Sequence, residues 1–224
     1  MKRRDFIKKS VLATVGGMFL TNRTLGEIIA PETDIDNNVI LTTNRNKMKI
    51  VILTGSPRKN GNSAYLAEQF IKGAREAGHD TFRFDCALQD VEGCMACNHC
   101  GMNGPCVLKD DFDIVRPHII AADMIVFATP MYYFGFSAQI KKVIDRFYAI
   151  NGQIKGVRKK AAFMMTYANT AAKEAQPMLQ HYRALTEYLG WEDVGTVVAP
   201  GVWTAGSIRN TNYGEKAYLL GKNL

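Results

Sequence analysis

Four of the five cysteines in this 224-residue chain lie in one short segment. They are Cys94, Cys97, Cys100 and Cys106, separated by two, two and five residues. Thiolates are good ligands for soft metal ions, and a compact run of them can reach adjacent corners of one metal cluster from a single loop. The segment is therefore a candidate metal centre.

Several chemistries are open to these cysteines. Their overlapping C-x2-C units resemble the bacterial ferredoxin run, whose last spacing is three residues rather than five. Zinc could take the four thiolates, or three of them with His99, although structural zinc sites usually separate two C-x2-C pairs by a longer stretch. Disulfides are favoured in an oxidising compartment, and free thiols are a further alternative. Cys86, at the end of a predicted strand, is interpreted as an inert buried thiol.

A second candidate site is the turn-rich loop at residues 55–63, which lies between an apolar run and a helical pattern. The backbone amides of such a loop and the N-terminus of the following helix together bind anions. Gly55 and Gly61 permit close approach of the backbone, and Arg58 could pair with a phosphate through two hydrogen bonds. Short polar side chains come from Ser56, Asn60, Asn62 and Ser63. The alternative is that Ser63 only caps the helix and the glycines only turn the chain.

The same loop argues against two other functions, and the absence of another motif argues against a third. It has no Gly-Lys-Ser/Thr, which makes nucleoside triphosphate hydrolysis a poor fit, and no G-x-G-x-x-G, which disfavours a Rossmann dinucleotide loop. No nucleophile elbow follows a predicted strand, so a Ser-His-Asp hydrolase is disfavoured as well.

Three consecutive aromatic residues follow the third predicted strand. Aromatic faces at the carboxyl end of a central strand could pack on a planar ring system, which a lone phosphate would not require. The alternative is that these residues belong to the core or to an interface. The predicted ring contacts are Pro130, Met131, Tyr132, Tyr133, Phe134 and Gly135.

The elements that must position these segments alternate between strands and helices. Predicted strands cover residues 48–54, 81–86, 123–129, 161–167 and 194–199, and predicted helices cover 64–77, 110–121, 137–150, 171–189 and 215–224. This alternation predicts an α/β fold with helices on both faces of a parallel sheet. Five strands suit the flavodoxin-like order 2-1-3-4-5, in which ligands bind beyond the carboxyl ends of the strands. The three candidate segments all follow strands and would meet at that edge.

Together these motifs resemble the NAD(P)H-dependent FMN reductases of the flavodoxin superfamily. The resemblance rests on Gly-Ser-Pro-Arg-x-x-Gly-Asn-Ser at 55–63, Ala-Asp at 122–123, Thr-Pro-Met-Tyr at 129–132 and Ile-Lys-x-x-Ile-Asp-Arg at 140–146. It implies an FMN whose phosphate lies in loop 56–63 and whose ring rests against residues 130–135, with a third wall at 166–170 that includes Tyr167 and Asn169. It also implies a homodimer or homotetramer, with Lys141, Asp145, Arg146 and Phe147 near the interface.

The cysteine segment carries a further resemblance. Gly93-Cys-x-Ala-Cys-x-x-Cys, followed by Gly104-x-Cys-x-x-x-Asp-Asp111, resembles the iron–sulfur flavoprotein branch of this superfamily. In that branch four cysteines hold a [4Fe–4S] cluster that exchanges electrons with FMN. The resemblance implies an enzyme that passes electrons from NAD(P)H or an electron-carrier protein to a quinone-like acceptor, with no side chain required as acid or base. Two alternatives are a flavodoxin-type electron carrier without small-molecule turnover and a structural domain without flavin.

Residues 1–30 have the organisation of an export signal. Their six basic and two acidic groups account for more than half of the net charge of +7, which disfavours a nucleic-acid-binding face on the rest of the chain. Arg3-Arg4, followed by Phe6-Ile7-Lys8, resembles the twin-arginine signal. The uncharged run at 11–20 is short for a membrane span. A basic amphipathic helix is the alternative.

The sequence thus predicts a signal segment at 1–30, a polar linker at 31–46 and an FMN-binding domain at 47–224. Export by the twin-arginine route would place the protein in the periplasm or anchor it at the outer face of the inner membrane. Because that route carries folded proteins, a flavin or cluster could be inserted before the protein crosses.

Overall fold

Strands and helices alternate along residues 47–224, the part of the chain that the computed structural model describes. The main sheet is parallel and has the order β2-β1-β3-β5-β6, while β4 pairs antiparallel with the end of β3. The predicted flavodoxin-like order is confirmed, since the fourth and fifth predicted strands are β5 and β6. The strands are β1 (Lys49–Thr54), β2 (Asp80–Asp85), β3 (Met124–Tyr132), β4 (Gly135–Phe136), β5 (Lys160–Thr166) and β6 (Glu192–Ala199).

Helices cover both faces of this sheet. Helices α1 and α6 pack on one face, and α2, α3 and α5 pack on the other. The α-helices are α1 (Asn62–Glu76), α2 (Phe112–Ala121), α3 (Ala138–Asp145), α4 (Asn151–Ile154), α5 (Gln176–Leu189) and α6 (Tyr213–Lys222). Short 3-10 turns cover Arg146–Ile150, Ala172–Ala175 and Ser207–Asn210.

The apolar run of β1 shows why the sheet is covered twice. Successive side chains of a strand point to opposite faces, so Val51 and Leu53 join the cluster under α2, α3 and α5, whereas Ile50 and Ile52 join the cluster under α1 and α6. Each such side chain contributes roughly 1.5–3 kcal/mol when fully buried. The core therefore holds the carboxyl ends of the strands at one rigid edge.

Two helix boundaries differ from the prediction by more than two residues. The helix predicted at 171–189 begins as a 3-10 turn, and α5 starts only at Gln176, where Pro177 occupies the first turn. Proline is tolerated there because the first amides of a helix have no intrahelical acceptor. The helix predicted at 137–150 ends at Asp145 and tightens into a 3-10 turn, in which Arg146 and Phe147 are buried.

The predicted signal segment at 1–30 and linker at 31–46 lie outside the described residues, so both stay predictions. The domain boundary near residue 47 likewise stays a prediction. Within residues 47–224, no helix combines the length and the apolar composition needed to cross a membrane.

Candidate functional site

A cavity of about 200 Å³ opens beyond the carboxyl ends of the central strands. The connections that follow β1, β5 and β6 line it, together with the start of α1 and the last residues of β3 and β5. The structure therefore brings the predicted anion loop and the predicted aromatic segment together. The lining residues are Ser56, Arg58, Gly61, Asn62, Ser63, Pro130, Met131, Tyr132, Thr166, Tyr167, Ala168, Val202 and Trp203.

The N-terminus of α1 forms one end of the cavity. The side chain of Ser63 is buried, with 1% of its surface exposed, and its Oγ has no hydrogen-bond partner among the described residues. The first amides of a helix also have no acceptor within the helix, and no acidic residue stands in the first turn of α1. The exposed Arg58 forms no ion pair within residues 47–224. This end of the cavity is suited to an anion.

The loop before α1 is held in a tight turn. The Arg58 amide donates to Ser56 Oγ at 3.1 Å, and the Gly61 amide donates to the Arg58 carbonyl at 3.0 Å. A Cβ atom on Gly61 would lie 2.8 Å from Ser56 Oγ, so a larger residue would displace the turn. At the other end of the loop, Ser137 Oγ donates to the Gly55 carbonyl at 2.7 Å.

Asn62 has a different role from the one predicted for its side chain. Its Nδ2 donates to the carbonyls of Val202 and Thr204, both at 2.9 Å, and its Oδ1 accepts from the Ile208 amide at 3.4 Å. The side-chain amide is therefore fully used in holding the loop after β6 against α1. Asn62 still lines the cavity, and its backbone amide, at the start of α1, has no acceptor within the helix.

Fewer residues of the aromatic segment line the cavity than the sequence predicted. Tyr132 lines the cavity, but Tyr133 and Phe134 form the two-residue turn between β3 and β4 and do not. Gly135 pairs with Tyr132 across this hairpin and is also absent from the lining. A two-residue turn reverses the chain at once, so its side chains project from the tip, where Tyr133 is fully exposed.

Two further predicted contacts lie outside the cavity lining. Asn60 is exposed in the loop before α1. Asn169 follows Tyr167 and Ala168, which do line the cavity, but its carbonyl accepts a hydrogen bond from the Gly201 amide at 2.9 Å. Asn169 thus joins the loops after β5 and β6.

The hairpin tip has a strained backbone. Tyr133 and Phe134 have φ of +45° and +64°, as a type I′ turn requires, although Asn and Gly are the residues that favour this conformation. The double variant Tyr133→Asn/Phe134→Gly is expected to raise the free energy of unfolding by about 1 kcal/mol, or roughly 2–4 °C in Tm, as measured by thermal unfolding. Tyr133→Ala removes the ring but keeps the strain, so an equal gain in that variant would contradict the explanation.

Sequence reasoning missed two residues of the cavity wall, Val202 and Trp203. Thr166 and Ala168 flank the predicted Tyr167 in the wall at 166–170. Val202 and Trp203 follow β6, and 76% of the Trp203 surface is exposed. A signal for them existed, because the carboxyl end of β6 must lie at the same edge as the other strand ends.

The four loop cysteines line a second, much smaller cavity of about 10 Å³. It is also lined by Arg146 and Tyr148. All five cysteines are free, so no disulfide joins them. Among the described residues, no group of three or more His, Cys, Asp or Glu side chains is already arranged to hold a metal ion. The structure thus places the four loop cysteines around one space, but their side chains are not arranged as the ligands of a metal ion.

Cys86 stands apart from this group, as predicted. It directly follows β2 and is buried in the core cluster under α2, α3 and α5. Burial raises the pKa of its thiol far above the ordinary value, so Cys86 stays protonated and unreactive.

The cysteine loop is anchored to the segment that follows α3. Tyr148 Oη donates to Asn98 Oδ1 at 2.8 Å, and the Gly152 amide donates to the Met102 carbonyl at 2.9 Å. At the base of the loop, the Asp110 carboxylate accepts from the Glu92 amide at 3.0 Å. These contacts hold the loop at both ends and at its middle.

The interface expected at 141–147 needs one correction. Arg146 and Phe147 are buried within the subunit, so they are not available to a partner. Lys141 and Asp145 form an ion pair with each other on the surface of α3. The predicted oligomeric state stays a prediction.

Comparison with known proteins places this site in context. The model of the NADPH-dependent FMN reductase family matches residues 48–205. Among solved structures, an NAD(P)H:quinone oxidoreductase from Methanothermobacter marburgensis superposes with a TM-score of 0.63 and 19% identity, over 79% of this chain and 96% of that one. At this identity the likeness shows a shared fold.

Curated relatives match between about two fifths and two thirds of this chain. An iron–sulfur flavoprotein of Methanocaldococcus jannaschii is 34% identical over 99 residues, which are 44% of this chain and 51% of that protein. A putative NAD(P)H-dependent FMN-containing oxidoreductase of Bacillus subtilis is 26% identical over 164 residues, or 69% of this chain and 86% of that protein. The chain spans about half the length of the curated iron–sulfur flavoproteins that it matches.

Proposed function

This chain belongs to the NADPH-dependent FMN reductase family, and we propose that it is an FMN-dependent oxidoreductase. It takes electrons from NAD(P)H or an electron-carrier protein and passes them to a quinone or similar acceptor. The observation that carries this proposal is one cavity that joins the N-terminus of α1 to the aromatic end of β3. FMN has a phosphate at one end and a planar ring at the other, so it needs both features in one place.

The anion end fits the phosphate of FMN. Ser63 Oγ is buried without a partner in residues 47–224, and leaving a buried hydroxyl unpaired costs about 1–3 kcal/mol. A phosphate oxygen at this position would accept hydrogen bonds from the hydroxyl and from the first amides of α1. Arg58, exposed at the rim, adds a positive charge.

The other end fits the ring. Met131, Tyr132 and Trp203 supply apolar and aromatic surface. The Tyr167 hydroxyl donates to the Ala171 carbonyl at 3.3 Å, and burial raises its pKa, so this residue serves as a neutral wall. FMN, when bound, would supply the electron-transfer chemistry, while these residues bind and orient it.

We further propose that the four loop cysteines hold a [4Fe–4S] cluster. All four line one small cavity, and the curated relatives of this chain include iron–sulfur flavoproteins. Three non-glycine residues of the loop, Ala96, Asn98 and Met102, adopt positive φ. Such turns wrap the backbone around a compact centre. The Ala96 amide already donates to Cys94 Sγ at 3.5 Å, which is the kind of contact that supports a sulfur ligand.

We also propose that the protein is exported by the twin-arginine route and that it assembles into a homodimer or homotetramer. The first is supported by the basic and apolar pattern of residues 1–30. Fractionation of cells that express the full chain, compared with an Arg3→Lys/Arg4→Lys variant, tests it. Retention of only the variant in the cytoplasm would support export, and identical distributions would contradict it.

The redox proposal is tested on the full chain purified without oxygen. We expect a flavin absorption spectrum, a rise in Tm on addition of FMN, and oxidation of NADH or NADPH with a quinone acceptor. At a ligand concentration 100-fold above Kd, binding stabilises the folded state by about 2.7 kcal/mol. FMN binding without nicotinamide oxidation would favour an electron carrier. No flavin and no shift in Tm would contradict the FMN site altogether.

A further inference from the structure

Arg146 is the largest fully buried side chain among the described residues, with 1% of its surface exposed. Buried arginine is rare in proteins because the loss of hydration must be offset by several polar contacts. Its partners come from the base of the cysteine loop, not from its own helix. The proposed transfer of electrons through FMN does not require this positive charge.

Three of the five N–H groups of the Arg146 guanidinium donate hydrogen bonds. Nη1 donates to Asp110 Oδ2 at 2.6 Å and to the Glu92 carbonyl at 3.1 Å, and Nη2 donates to the Leu108 carbonyl at 3.4 Å. The guanidinium carbon also lies 4.8 Å from the centre of the Phe112 ring. Arg146 therefore ties together residues on either side of the cysteines.

The Nε side of the Arg146 guanidinium is unpaired among the described residues. Its Nε is buried and has no hydrogen-bond partner within residues 47–224. Arg146 lines the small cavity with Cys94, Cys97, Cys100 and Cys106, whereas its counter-ion Asp110 does not line it. The positive member of the ion pair thus borders the space that the four cysteines share, and the negative member does not.

The Asp110 carboxylate stays ionised at this position. Burial alone would raise its pKa, but hydrogen bonds from the Glu92 amide, Arg146 and the Phe112 amide outweigh burial and lower the pKa below the ordinary value. The ion pair is therefore a fixed dipole in a poorly hydrated part of the protein. Charges act strongly over short distances in such surroundings.

From this geometry we infer that Arg146, oriented by Asp110, is a positioning residue that sets the reduction potential of the cysteine site. The inference rests on the proposed [4Fe–4S] cluster. Four thiolate ligands give such a centre net negative charge, and each added electron increases it. A buried cation near such a centre would stabilise its reduced form, and a hydrogen bond from Nε to a sulfur atom would act in the same direction. Arg146 therefore raises the potential.

The test compares two variants of opposite charge effect in the full chain, reconstituted with iron and sulfide. Arg146→Gln removes the positive charge and is expected to lower the midpoint potential of the cluster. Asp110→Asn removes the negative charge, leaves the charge of Arg146 uncompensated, and is expected to raise it. The potential is measured by anaerobic redox titration with iron and acid-labile sulfide quantified in each sample. Arg183→Gln, which removes an exposed arginine on α5, is expected to leave the potential unchanged.

The outcomes separate this inference from the cluster proposal. Shifts of opposite sign support it, because loosening of the loop alone would not reverse its effect between the two variants. Shifts of the same sign, or no shift, in proteins that retain iron would overturn it. If Arg146→Gln loses its iron, Arg146→Lys replaces it, with an expected potential at or below that of the wild type. A wild-type protein without iron or sulfide would overturn the cluster proposal, and the inference would fail with it.

Discussion

Ser63→Ala is expected to weaken FMN binding by roughly ten- to a hundred-fold without weakening the fold. A hydrogen bond to a charged group contributes about 1.5–3 kcal/mol, and each 1.4 kcal/mol corresponds to a tenfold change in Kd. In the absence of ligand the Ser63 hydroxyl is buried without a partner in the described structure. Its removal should therefore leave the Tm of the apo-protein equal to that of the wild type or slightly higher. Flavin fluorescence titration and thermal unfolding measure the two quantities.

A matched loss of a hydroxyl is available far from the cavity. Thr196 is exposed on the edge strand β6 and does not line the proposed FMN site. Thr196→Ala should leave the Kd for FMN unchanged. An unchanged Kd in Ser63→Ala would argue that Ser63 serves only the helix. So would a fall in the free energy of unfolding of the apo-protein as large as the loss of binding free energy.

The double variant Cys97→Ser/Cys100→Ser is expected to lose nearly all iron and acid-labile sulfide while keeping its affinity for FMN. A [4Fe–4S] cluster needs its four thiolates, and a serine hydroxyl is a poor substitute. The two cavities share no lining residue, so the flavin site should be unaffected. Metal analysis, sulfide analysis and the visible spectrum of anaerobically purified protein give the result.

Cys86→Ala is the control for this loss. Cys86 is buried in the core and away from the small cavity, so its replacement should lower the free energy of unfolding by about 1 kcal/mol and leave the iron content intact. Zinc in place of iron in the wild type would contradict the cluster proposal. So would four loop cysteines paired as disulfides in protein purified without oxygen.

Much of the fold was predictable because its signals are local. The apolar run at residues 48–54 has the composition of a strand covered on both faces, and β1 is covered in that way. Gly78, predicted to stop the first helix, has φ of +92° just beyond the C-cap of α1. The boundaries of later helices were less predictable, because a 3-10 turn and an α-helical turn differ little in sequence pattern.

The aromatic segment shows where local pattern misleads. Tyr132, Tyr133 and Phe134 are equivalent as aromatic residues that follow a strand, and they were predicted to share one role. The hairpin divides them, since Tyr132 ends β3 at the cavity while the other two occupy the turn. A sequence that lacks the usual Asn-Gly signal gives no warning of a type I′ turn.

The sequence alone predicted three segments as candidate functional sites, namely the anion loop after β1, the aromatic end of β3 and the cysteine run. It could do so because the relevant residues are close neighbours in the chain and because the ends of parallel strands meet at one edge. Tertiary structure alone decided the roles of Asn62, Arg146 and Trp203. Asn62 holds a loop 140 residues away, and Arg146 pairs with a carboxylate 36 residues away. Such partners are chosen by packing in three dimensions, which spacing along the chain does not record.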